Sequence, residues 1–167
     1  LTETVAPAFS NPLEASRRKV GSVGRASGCV ARVADERGEE IPDGTPGEIL
    51  IRGPQVTVGY YKNPEATAGA FFPGGWLRTG DIGRRDADGF FFITGRIKEL
   101  IIKGGENIAP REIDEVLLAH PAVLDASVVG MPDRHYGQEI MAAVVLREGM
   151  ACSEDELREF CQQRLGR

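Results

Sequence analysis

Residues 95–114, GRIKELIIKGGENIAPREID, divide the chain into two differently patterned parts. Before Gly95 the apolar residues come in short β-branched runs separated by Gly and Pro clusters. After it, strand-like runs alternate with stretches of helical spacing. Within the segment, the apolar run at 100–102 sits between a Gly-Arg pair and a Gly-Gly pair, and Pro110 opens a helix. The expected class is α+β: a β-rich antiparallel unit over residues 1–97, then a small α/β unit over 98–167, with the boundary between Ile97 and Lys98.

Local signals fill in this frame. Residues 1–20 are rich in Pro, Ser, Asn and Ala and have no sustained period, which predicts loop with one short helix at most. Residues 30–34 and 48–52 read as antiparallel strands. Asn63-Pro64-Glu65 supplies an N-cap, a proline at the first helical position and an acid in the first turn, so a short helix runs toward Phe71. Asp88-Gly89 between two strand-like runs predicts a tight hairpin turn. Ile113, Val116 and Leu117 form one stripe of a helix that His120-Pro121 stops. Residues 124–130 and 140–146 read as buried strands. Ser153 and Glu156 form a capping box ahead of Leu157, Phe160 and Cys161.

A net charge of −5 with intermixed signs lacks the basic stripe that a phosphate backbone requires, so nucleic acid is not an expected partner. No apolar run approaches bilayer length, and no basic-then-apolar leader opens the chain, so the expected location is the cytoplasm. Cys29, Cys152 and Cys161 are odd in number and lack CxxC spacing, as small buried hydrophobes in reducing surroundings would. The chain opens on Leu1-Thr2-Glu3-Thr4 and stops as an amphipathic helix finishes, which reads as a piece of a longer polypeptide.

Few residues carry chemistry by pattern alone. His120 lies at a helix end and His135 in a polar loop, with no second ligand at metal spacing near either. KVGSVGRASG lacks the GK[ST] ending of a phosphate loop and reads as a turn and strand entry. Thr79-Gly80-Asp81 places a carboxylate beside a glycine, an arrangement able to hold a ribose diol, although bare spacing equally fits a capped surface turn.

Four stretches taken together, LTET, GEILIRGPQVTVGYYKNPEAT, GGWLRTGDIG and GRIKELIIKGGENIAPREIDEVLLAHPAV, resemble the AMP-forming acyl-CoA synthetases of the adenylate-forming superfamily, in family order and spacing across essentially all 167 residues. The resemblance implies a two-step reaction. A carboxylate attacks the α-phosphate of MgATP to give acyl-AMP and pyrophosphate, and the thiolate of coenzyme A then displaces AMP. It implies that residues 1–97 are the end of the large domain and 98–167 an incomplete, mobile C-terminal domain. Thr2 matches the threonine that contacts nucleotide phosphate, Glu3 the glutamate that helps hold Mg2+, Asp81 the aspartate on the ribose hydroxyls, and Arg96 a second nucleotide contact. Lys98 matches the hinge between the adenylating and thioester-forming arrangements. Gly104 and Gly105 match the turn that lines the pantetheine tunnel, and a turn requiring positive φ accounts for them equally. The family's catalytic lysine falls beyond Arg167, so no catalytic residue is expected within the chain and the isolated chain should be silent. The run 47–61 and the Trp-Leu-Arg before Thr79 match as structural segments.

Two other readings share the motifs. One is an amino-acid-activating or acyl-carrier-protein-loading adenylation domain, which usually shows an Arg-Gly-x-Arg-Ile-Glu pattern where this chain has IIKGGENIAP. The other is a noncatalytic homologue that binds a nucleotide or a protein. An uncovered apolar face would favour a homo-oligomer.

Overall fold

The computed structural model describes residues 1–166, arranged as two compact units, Leu1–Ile97 and Lys98–Arg167; Arg167, the last residue of the expected second domain, lies outside the described residues. In the first unit, β1 (Phe9–Ser10) pairs with β2 (Arg25–Ala26), and a 3-10 turn, Ala15–Arg17, stands between them. A larger antiparallel sheet holds β3 (Val30–Ala34), β4 (Gly47–Arg52), β5 (Phe71–Phe72), β6 (Trp76–Arg85) and β7 (Phe91–Arg96). Its order is β3-β4-β6-β5, with β7 also paired to β6. The helix α1 (Pro64–Gly69) precedes β5, and its N-cap Asn63 accepts the Ala66 N–H at 3.0 Å.

Strand alternation sorts this sheet into two faces. Val33, Ile49, Ile51 and Phe91 join Ala8 in the core on one side. On the other, the guanidinium groups of Arg32 and Arg52 stack on the Trp76 ring at 4.1 and 4.7 Å, and Arg78 stacks on Phe72 at 4.7 Å. Leu50 lies between Arg32 and Arg78 in register and is fully buried. Arginine stems over aromatic rings thus cover an apolar residue that a bare polar face would leave wet.

The β6–β7 connection departs from the expected two-residue turn. Ala87, Asp88 and Gly89 form a three-residue loop closed by the bond from Asp86 N–H to Phe90 O at 2.9 Å. The Asp86 carboxylate accepts the N–H groups of Asp88 and Phe90, and Lys19 pairs with both Asp86 and Asp88. An acidic side chain that caps its own loop makes the longer turn stable.

The second unit comprises β8 (Ile101–Lys103), β9 (Glu106–Ile108), α2 (Pro110–Leu118), β10 (Val123–Asp133), β11 (Gly137–Leu146) and α3 (Glu154–Leu165). Its sheet order is β10-β11-β8-β9, and every pairing recorded in it is antiparallel. Ile101, Leu117 and Val128 are its buried centre, packed by Ile113, Ile140, Val144, Leu157 and Cys161. The capping box forms as the sequence predicts: Glu156 N–H donates to Ser153 Oγ at 3.2 Å, and Ser153 N–H to the Glu156 carboxylate at 2.7 Å. His120 closes α2 by accepting the Ala122 N–H on Nδ1, and its ring meets Phe160 edge-on at 4.6 Å.

The β10–β11 hairpin is not buried on both faces, contrary to the sequence expectation. Val128 and Val144 face the core, while Val129, Met131, Met141 and Val145 are exposed. Apolar residues on both faces mimic the continuous run of a buried strand, yet an antiparallel hairpin can leave one face in water. The three thiols are free and half-buried. Among the described residues no helix is long and apolar enough to cross a membrane.

Asp114, on α2, has a buried carboxylate oxygen, Oδ1, without a hydrogen-bond partner. Burial pushes its carboxyl pKa above the ordinary 3.8, the Val128 N–H opposes the shift, and Asp125 and Glu115 add to it. A raised folded-state pKa means that the folded chain holds the proton more tightly than the unfolded chain. Stability therefore falls as pH rises through the carboxylate range. Asp114→Asn should raise the melting temperature at pH 7, with the advantage shrinking toward acid pH; thermal unfolding at both pH values checks this, and a less stable variant at pH 7 contradicts it.

Candidate functional site

The register of β4 against β6 breaks at one point. Glu48 pairs with Ile82 and Leu50 with Arg78, so Ile49 alone stands opposite Thr79, Gly80 and Asp81. The bare spacing of Thr-Gly-Asp fits a surface turn; in the fold it is a bulge inside a long strand. The ladder cannot satisfy the bulged residues, and side chains do so instead. Thr79 Oγ1 donates to Ile49 O at 2.6 Å and accepts the Asp81 N–H at 3.1 Å. Gly80 takes φ +71°, a left-handed conformation that favours glycine, and its N–H donates to Glu48 Oε1 at 3.1 Å. Glu48, only 7% exposed, accepts Nε and Nη2 of Arg78 on its other oxygen at 3.1 and 3.0 Å.

Asp81 emerges from this bulge in register with Arg96 on β7, and Arg96 Nε donates to Asp81 Oδ1 at 2.7 Å. The Asp81 side chain is 17% exposed and that of Arg96 54%. Asp81 and Thr79 line a cavity of about 510 Å³ together with Thr4, Ile49, Ile51 and Ile93. An ionised carboxylate offers about four acceptor positions over two oxygens, so one bond to Arg96 leaves capacity for a diol.

The segment carrying Thr2 and Glu3 is tied to the loop after β4. Thr4 bridges Val56, Glu3 O accepts the Thr57 N–H at 2.8 Å, and Glu3 Oε1 accepts the Tyr60 hydroxyl at 3.0 Å. That bond to the carboxylate pushes the Tyr60 phenol above its ordinary pKa. Thr2 is exposed, and neither Thr2 nor Glu3 lines the cavity that holds Asp81, among the described residues. No group of three or more His, Cys, Asp or Glu is placed to hold a metal, again among the described residues. Mg2+ typically takes one or two carboxylates and completes its shell with phosphate oxygens and water, so Glu3 fits as one ligand of a nucleotide-borne ion.

In the second unit, Lys98 is exposed within the 3-10 turn Ile97–Glu99. Gly104 and Gly105 have φ +59° and +89° and connect Lys103 to Glu106, a two-residue turn of the type that needs positive φ at both positions. Gly104 N–H donates to Tyr136 O at 2.9 Å, and Lys103 pairs with Glu139, so this turn is braced by the β10–β11 hairpin. Sequence reasoning singled out Asp81 and Arg96 but not the residues that hold them. Glu48 and Arg78 fell within runs read as structural; an acid embedded in the apolar run GEILI is the signal that marks Glu48.

The chain is similar to known proteins along its whole length. The AMP-binding enzyme family matches residues 1–61, and the AMP-binding enzyme C-terminal domain matches residues 112–167. The sulfoacetate–CoA ligase of Cupriavidus necator is 60% identical over 167 residues, which are 100% of this chain and 33% of that protein. The oxalate–CoA ligase of Arabidopsis thaliana is 47% identical over 166 residues, 99% of this chain and 32% of that protein. Among solved structures, ATP-bound MatB from Rhodopseudomonas palustris superposes with a TM-score of 0.90 at 38% identity, covering 98% of this chain and 33% of that one. The o-succinylbenzoate CoA synthetase of Bacillus subtilis, in complex with its acyl-adenylate intermediate, gives a TM-score of 0.82 at 37% identity, with 98% and 33% coverage. The chain thus spans about a third of the length of the relatives it matches. With antiparallel sheets, few helices and the two family matches in order at its two ends, the chain belongs to the AMP-binding, adenylate-forming enzyme family.

Proposed function

We propose that the chain is part of an ATP-dependent acid–thiol ligase that activates a carboxylic acid as acyl-AMP and passes the acyl group to coenzyme A. The observation that carries this reading is the Asp81–Arg96 pair held at the β6 bulge beside a cavity, in a chain whose relatives are named CoA ligases. Residues 1–97 form the end of the large nucleotide-binding domain and 98–167 most of the mobile C-terminal one. Asp81 accepts the ribose hydroxyls of ATP and AMP. Arg96, fixed by its bond to Asp81, adds a positive charge at the nucleotide. Thr2 contacts a phosphate oxygen. Glu3, steered by the Tyr60 hydroxyl, is a ligand of Mg2+. When bound, that ion neutralises phosphate charge and orients the α-phosphate for attack.

The chain's own residues bind and orient the nucleotide. Lys98 is the hinge on which the C-terminal domain turns between the two half-reactions, a place where a few residues absorb a change in φ and ψ. Gly104 and Gly105 bring side-chain-free backbone to the pantetheine arm. Free, half-buried thiols support a reducing compartment, the cytoplasm.

In the enzyme carrying this chain, Asp81→Ala removes up to two charge-assisted hydrogen bonds, about 2–4 kcal/mol. The KM for ATP in ATP–pyrophosphate exchange should rise about 30- to 700-fold, and an unchanged KM rejects the ribose role. Lys98→Pro fixes φ at the hinge. Adenylate formation should persist while thioester formation falls at least tenfold; equal loss of both half-reactions, or of neither, rejects the hinge.

A further inference from the structure

The carboxylate of Glu48 is an unusual thing to find in a β-strand of the sequence GEILIR. Its neighbours Ile49 and Ile51 are 1% and 2% exposed, and Glu48 itself is nearly as buried. Alternation puts Ile49 and Ile51 on the core face, the face on which Asp81 and Thr79 line the cavity. Glu48 belongs to the opposite face and does not line that cavity among the described residues. It therefore meets the bulge from behind. One oxygen takes both Arg78 donors, and the other takes the N–H of Gly80, the residue immediately before Asp81.

We infer that Glu48 is a positioning residue for nucleotide binding: it fixes the left-handed Gly80 peptide, and so the place from which Asp81 reaches the ribose. This inference rests on the nucleotide role proposed for Asp81. Three pins hold the arch of residues 79–81. Thr79 is hydrogen-bonded to Ile49 O, Asp81 is paired with Arg96, and Gly80 is held by Glu48. Only the last uses a buried charge. Arg78 pairs with that carboxylate and aims it, and stacking on Phe72 restrains Arg78 in turn. Removing the carboxylate leaves the Gly80 N–H without its acceptor and the Arg78 guanidinium, whose side chain is 40% exposed, without its partner. The arch then loses its middle support while the two outer ones remain.

The test compares Glu48→Ala, Glu48→Gln, Asp81→Ala and the double variant Glu48→Ala/Asp81→Ala in the enzyme carrying this chain. Amide hydrogen exchange at Gly80 and ATP–pyrophosphate exchange kinetics are the readouts. Glu48→Ala should speed Gly80 exchange at least tenfold and raise the KM for ATP at least tenfold, with kcat changed less than threefold. Glu48→Gln keeps an acceptor for the Gly80 N–H and should recover part of both effects; it also serves as the test variant if the alanine protein does not fold, with at least threefold changes expected. The double variant should bind ATP no more weakly than Asp81→Ala alone. Unchanged Gly80 exchange, a fall in kcat at constant KM, or effects that multiply in the double variant overturns the proposal. Should Asp81→Ala itself leave KM unchanged, the nucleotide role fails separately. The Asp81 carboxyl 13C shift in Glu48→Gln then decides the positioning claim: a moved resonance supports it and an unmoved one overturns it.

Discussion

Three residues of β6 stand opposite one residue of β4, and the backbone groups that this mismatch deprives of ladder partners must find others. The Thr79 hydroxyl, for Ile49 O and the Asp81 N–H, and the Glu48 carboxylate, for the Gly80 N–H, provide them, and each leaves a geometric imprint. The Thr79 hydroxyl ties the arch to β4 and takes the Asp81 N–H. Glu48 holds the Gly80 peptide in a conformation that favours glycine. Asp81 is thereby presented to the cavity, next to Arg96 on the adjoining strand. The Thr-Gly-Asp triplet combines a hydroxyl that mends the ladder, a residue tolerant of positive φ, and a carboxylate at the end of the bulge, where pairing with β4 resumes.

The segment that follows obeys a similar economy. Arg96 ends β7 as the partner of Asp81, Lys98 opens the second unit, and residues 101–103 supply the buried Ile101. Gly104 and Gly105 then reverse the chain within two residues, which lets β9 pair with β8 before Pro110 begins α2. Their positive φ values are a sufficient structural reason for two glycines. Under the proposed function, a close approach to a thiol carrier would be a further use of the same absence of side chains. The two explanations make the same demand on the sequence, so composition alone does not separate them.

Much of the fold was legible because it rests on local chemistry. Asn63 before Pro64 and Ser153 before Glu156 are caps that work through bonds three residues apart, and both form as the sequence predicts. The Ile113 and Leu117 stripe faces the second core. What was not legible depends on register or on which face of a sheet is covered. The Asp88-Gly89 turn is longer than predicted because Asp86 caps it, a contact that depends on how β6 and β7 align. The exposed face of β10 and β11 carries Val129, Met131, Met141 and Val145, and nothing in a run of apolar residues says which side meets water. At the site, Asp81 and Arg96 were recognisable from their motifs. Their support was not: Glu48 lies 33 residues before Asp81 in sequence, and only the pairing of β4 with β6 brings its carboxylate to Gly80.

Titration of the protein with AMP, followed through the backbone amide resonances, tests the central claim most directly. If the β6 bulge is a ribose grip, the resonances of Thr79, Gly80, Asp81 and Arg96 shift first and furthest, in a saturable manner that inorganic phosphate does not reproduce. Shifts confined to other parts of the chain, or matched by phosphate alone, would contradict it.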